Sequence, residues 1–71
     1  MQTIIITTEY VKLQDLLKLA NLVSSGGEAK ERIQAGEVTV NGEPCIQRGK
    51  KLRPGDVARL DGRDCTPAYA D

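Results

Sequence analysis

Histidine, tryptophan and phenylalanine are all missing from this chain, and its aromatic residues number two, Tyr10 and Tyr69. Without histidine the side chain best suited to proton transfer near neutral pH is absent, and so is the commonest zinc ligand. Cys45 and Cys65, the two cysteines, are far from any Cys-x-x-Cys spacing, so no metal site and no cofactor are expected. No nucleophile stands near a base in the sequence, and catalysis is not expected. With so few aromatics the chain lacks the rings on which single-strand readers stack bases. No apolar run approaches the ~20 residues that cross a bilayer. The opening MQTIIITTEY has neither the basic flank nor the apolar stretch of a secretory signal. A cytoplasmic chain with free thiols and no membrane partner is therefore the expectation. Net charge is the last absence: ten lysines and arginines balance ten aspartates and glutamates.

What is present fits one small α+β domain. A 71-residue chain buries only about 60% of its unfolded surface, so the core is modest. Ile4 to Ile6 is a β-branched run that reads as a strand. Leu13, Leu16, Leu17 and Ala20 follow the i, i+3, i+4, i+7 spacing of a helix with one apolar stripe, and Asn21 suits its left-handed C-cap. A second helix starts at Ser25, packs through Ala29 and Ile33, and stops at Gly36. Val38 and Val40 alternate with Thr39 before Asn41-Gly42, the dipeptide of a type I′ hairpin turn. Pro44 suits a strand edge. Arg53-Pro54-Gly55-Asp56 reads as a type II turn, and Val57 to Leu60 as a short strand. Asp61-Gly62 turns back toward a weak last segment. The expected architecture is two early helices packed on a small, mainly antiparallel sheet formed largely by the second half. The domain is placed at residues 1–65, with 66–71 as a loose tail because it lacks periodicity. No linker and no internal repeat are visible.

Two stretches stand out. In SSGGEAKERI, Ser25 and Glu28 have the spacing of a capping box, yet Gly26 and Gly27 occupy a first turn where alanine would be more favourable by up to about 1 kcal/mol each. Either they permit close packing or a strained entry, or they clear side chains from a helix N-terminus whose free N–H groups suit a phosphate. In RGKKLR, Arg48, Lys50, Lys51 and Arg53 put four cations within six residues with no anion among them. A solvated surface loop and a phosphate-binding surface are both consistent with that run.

The residues from Lys12 to Val57 resemble the small RNA-binding domain named after ribosomal small-subunit protein four, here the S-four domain with its alpha-L motif. The resemblance rests on Lys12-Leu13, Ser25, Ala29, Gly36-Glu37-Val38-Thr39-Val40-Asn41-Gly42, the basic run 48–53, and Gly55-Asp56. The spelling also resembles short stand-alone bacterial proteins of the YbcJ/YaaA type. One departure is Gly26, where the family has an arginine. The resemblance implies binding of structured RNA, ribosomal or transfer RNA, through phosphates and shape, with the ribosome as a possible partner and a monomer as the expected state. It favours the phosphate reading of the glycines.

The residues implied are Lys12, Ser25, Gly26, Gly27, Lys30, Gln34, Asn41, Arg48, Lys50, Lys51 and Arg53. Lys30 and Gln34 share one flank of the second helix. Arg32 is set aside because Glu28 lies four residues before it, and Lys18 because a solvated surface position explains it. A ubiquitin-like sulfur carrier, suggested by VNGEP and LRPGDVARL, and a protein-binding adaptor are the alternatives. The carrier requires a strand hairpin where two helices are read here.

Overall fold

The computed structural model describes residues 1–70. The chain opens with strand β1 (Gln2–Ile6) and a two-residue strand β2 (Val11–Lys12), which runs directly into helix α1 (Leu13–Leu19). Helix α2 (Gly26–Gln34) follows, then β3 (Thr39–Val40), β4 (Glu43–Pro44), β5 (Lys51–Leu52), β6 (Ala58–Leu60) and β7 (Arg63–Tyr69). The main sheet has the order β1-β7-β6-β3-β4, and β2 pairs with β5 as a separate antiparallel ribbon. Within the main sheet only β1 and β7 run parallel. The fold is thus α+β with two helices and a mainly antiparallel sheet.

The apolar stripe of α1 accounts for the centre of the molecule. Leu13, Leu16 and Leu17 are wholly buried, together with Ala29 and Ile33 of α2, Val38, Leu52, Ala58 and Cys65. Fully burying a leucine contributes about 1.5–3 kcal/mol relative to exposure, so this cluster supplies most of the drive to fold. Cys65 lies in that core as a free thiol, its pKa pushed up to about 11 by burial. Cys45, also free, is half-buried just after β4.

The turns have the geometry their sequences specify. Asn41 and Gly42 take φ of 54° and 87°, and Asp61 and Gly62 take 53° and 75°, so both hairpins turn through two left-handed residues. Asn21, with φ of 59°, ends α1 as a left-handed cap.

Two expectations need correction. Thr66 to Tyr69 are not a loose tail: they complete β7 and lie in register with Thr3 to Ile6. Their apolar content is too low to mark a strand, and the pairing is made by a partner at the opposite end of the chain. Asp71 lies outside the described residues. The basic run is also more ordered than a loop, since Lys51 and Leu52 form β5 and Leu52 is wholly buried.

Candidate nucleic-acid interface

The first cationic group is built by the ribbon β2–β5. Its register sets Lys12 directly opposite Lys51 and Val11 opposite Leu52. Leu52 is wholly buried while both lysines are exposed, so the ribbon has an apolar side and a cationic side. Like charges directly opposite each other across a strand pair are destabilising. Beneath Lys51 lies Tyr10. The Lys51 ammonium is 4.9 Å from its ring centroid, and the Arg53 guanidinium carbon is 5.7 Å away. Both distances allow cation–π attraction, so the ring holds the two cations beside Lys12. Arg53 also meets Glu9 at 3.7 Å, with both side chains largely exposed.

The rest of the basic run is fixed by its backbone. Lys12 precedes α1 in an extended conformation, and its side chain does not cap the helix. The first N–H groups of α1 instead donate to the run: Leu13 to the Lys50 carbonyl at 2.8 Å and Gln14 to the Arg48 carbonyl at 3.1 Å. These bonds satisfy helix donors that would otherwise face solvent or the core. They also place Arg48 and Lys50 at the start of α1, next to Lys12 and Lys51. Among the described residues, Lys12, Arg48, Lys50 and Lys51 are in none of the ion pairs, which take Lys18, Arg32, Arg53 and Arg59.

The second group lies at the N-terminus of α2. Ser25 caps the helix, accepting the Glu28 N–H at 3.1 Å. The glutamate reaches back one residue further than a standard capping box: its carboxylate accepts from the N–H of Ser24 at 2.7 Å and from the Ser24 hydroxyl at 2.8 Å. Those two bonds hold the Glu28 carboxyl below its ordinary pKa. A methyl group on Gly26 would approach the Lys18 ammonium at 3.9 Å, and one on Gly27 the Ser25 hydroxyl at 3.9 Å. Both are ordinary contacts, and neither glycine takes a positive φ. Packing within the chain and backbone strain therefore do not account for glycine at these positions. Lys18, set aside in the sequence, stands beside Gly26 and pairs with Asp15 at 3.4 Å. Lys30 and Gln34 are exposed along α2.

Asn41 has a different role. Its amide is engaged inside the chain, with the oxygen accepting from the Val57 N–H at 2.9 Å and the nitrogen donating to Asp56 at 3.1 Å. Arg32 is likewise explained by structure, bonded to Glu37 at 2.7 Å and to Asp61 at 2.6 Å. Sequence reasoning missed Tyr10 and Lys18. The first becomes visible only once Val11-Lys12 is paired with Lys51-Leu52, and the second only once the end of α1 is set against the start of α2.

The S4 domain family model matches residues 4–66. A curated relative, described as a probable ribosome maturation protein RlbA of Bacillus subtilis (strain 168), is 48% identical over 57 residues, covering 80% of this chain and 80% of the relative.

Proposed function

The chain belongs to the S4 domain family, and we propose that it binds structured RNA through phosphates, with ribosomal RNA as its first target and transfer RNA as the second to test. The observation that carries this reading is the cationic ribbon. Lys12 and Lys51 face each other across β2–β5, and Arg53 shares Tyr10 with Lys51. In a chain with no net charge, Lys12, Arg48, Lys50 and Lys51, four of the six cations in no ion pair among the described residues, lie in or beside this ribbon. An RNA backbone supplies the anions that the arrangement lacks. Tyr10 already lies under two cations, so its ring is not free for base stacking, which favours phosphate and shape over base edges.

Gly26, Gly27 and Lys18 form a second phosphate contact in this reading, smaller because the Glu28 carboxylate already lies at that helix end. Similarity to a ribosome maturation protein supports assembly or maturation of the ribosome as the process served. The sulfur-carrier alternative is dropped, because residues 26–34 are helical where it needs strands.

The test is fluorescence anisotropy with a folded ribosomal RNA fragment, a transfer RNA and a single strand over a threefold range of salt. With about four phosphates contacted, the log–log slope for folded RNA is about −3 to −4. The double variant Lys50→Ala/Lys51→Ala weakens binding to every folded RNA and makes the slope shallower by about two. A salt-independent affinity would instead favour a protein partner, and an unchanged slope in the double variant would place the phosphate contacts away from Lys50 and Lys51.

A further inference from the structure

The cations of the ribbon depend on a closed segment, and the closure is made by two side chains that the RNA would not need to touch. Residues 43–55 leave β3 at the Asn41-Gly42 turn and return at the Arg53–Asp56 turn. At the base of this excursion the Asn41 N–H donates to the Val57 carbonyl at 2.8 Å, and the Val57 N–H donates to the Asn41 side-chain oxygen at 2.9 Å. The Asn41 side-chain nitrogen donates to one Asp56 carboxylate oxygen at 3.1 Å. The other Asp56 oxygen accepts the Arg53 N–H at 2.9 Å, while the Asp56 N–H donates to the Arg53 carbonyl, also at 2.9 Å. The two ends of the excursion, 15 residues apart, are thus joined through one amide and one carboxylate.

We propose that Asn41 and Asp56 are positioning residues for the RNA-binding face, a hydrogen-bonded lock that sets Arg53 and Lys51 beside Lys12. The proposal rests on the RNA-binding reading above. The lock explains why an aspartate is found next to a surface meant for phosphates. Taken as a charge alone, Asp56 opposes an RNA backbone, and removing its charge would strengthen binding. Taken as a lock, its removal frees Arg53 and weakens binding. The two accounts differ in sign.

A side-chain exchange sharpens the contrast. In Asn41→Asp/Asp56→Asn the aspartate at 41 can accept both the Val57 N–H and the new amide at 56, whose oxygen accepts the Arg53 N–H. All three side-chain bonds survive, net charge is unchanged, and aspartate tolerates the left-handed backbone at 41. The single Asp56→Asn replaces two acceptor oxygens by one, and Asn41→Asp sets two carboxylates face to face.

The experiment measures affinity and salt slope on the same folded RNA, with each variant checked for folding by circular dichroism. Asp56→Asn is expected to bind about three- to tenfold more weakly, the effect of one lost hydrogen bond. Its slope should be shallower by about one, a change that reduced stability alone does not produce. The exchange variant returns both readings close to those of the unaltered chain. Asn41→Gly, which keeps the left-handed turn and deletes the amide, serves the same purpose if Asp56→Asn does not fold. Equal or tighter binding by Asp56→Asn, or by Asn41→Gly in its place, overturns the lock while the RNA reading stands. A failed rescue by the folded exchange variant overturns it as well. Absence of RNA binding by the unaltered chain overturns both.

Discussion

Arg32 shows how one residue can be read correctly for an incomplete reason. The i,i+4 spacing from Glu28 suggested a surface pair, but that contact is the longest of three, at 4.0 Å. The closer partners are Glu37, just beyond α2, and Asp61, in the β6–β7 turn. One guanidinium therefore ties the helix to the far hairpin with its fork of donors; its partners raise its own pKa, and it holds the Asp61 carboxyl low. Arg32→Ala should lower Tm by a few degrees in a thermal melt and leave RNA affinity and its salt slope unchanged. Reduced affinity in the folded variant would show that Arg32 reaches the RNA. Lys18, set aside in the sequence as a solvated surface position, is not a neutral site for comparison, because its ammonium stands beside Gly26.

At the scale of the element, legibility followed the range of the forces. Both helices and the Asn41-Gly42 and Arg53–Asp56 turns were readable because their causes are local: apolar spacing, a serine cap, glycines and asparagines able to take positive φ. β5 and β7 were not. Two residues carry no period, and Lys51-Leu52 is a strand only because β2 pairs with it. In β7, Cys65 and Pro67 are buried in alternation, but a proline argues against a strand. It is tolerated because pairing with β6 stops at Cys65, leaving Pro67 with β1 alone as its neighbour. Of the candidate site, the basic run was legible as charge, while its assembly with Lys12 and Tyr10 depended on that unread ribbon. The α2 N-terminus gives the prediction for this scale. Alanine at 26 or 27 meets nothing closer than 3.9 Å. Gly26→Ala and Gly27→Ala should therefore stabilise the fold by about 0.4–1 kcal/mol each, a Tm rise of several degrees. If phosphate approaches there, RNA affinity falls in the same variants. Higher Tm with unchanged affinity would remove the α2 N-terminus from the interface and leave the ribbon as the binding surface.

Over the whole molecule, the balance of charge conceals a division of labour. Among the described residues, four of the six cations outside ion pairs, Lys12, Arg48, Lys50 and Lys51, lie in or beside the ribbon, while most carboxylates with displaced pKa values hold backbone or guanidinium groups elsewhere. Asp56 is held low first by the Arg53 N–H and then by the Asn41 amide, with the charges of Lys50 and Arg53 adding to them. Glu28 is held low by Ser24, and Asp61 by Arg32. A carboxyl whose pKa is lower in the folded chain than in the unfolded one binds its proton later on acidification. The unfolded state then takes up more protons, and stability falls with pH. These three contributions are therefore complete above the ordinary carboxylate values near 4 and disappear as pH drops through the depressed ones. Cys65 acts at the other end. Burial raises its thiol from 9.0 to about 11, so its contribution is complete below 9 and is lost as pH climbs toward 11, because the unfolded thiol ionises first. Urea melts across a pH series should show a plateau at intermediate pH bounded by both declines. Asp56→Asn should make the acid limb shallower and leave the alkaline limb in place. An acid limb of the same depth in that variant would mean that the Asp56 lock adds nothing to the folded state.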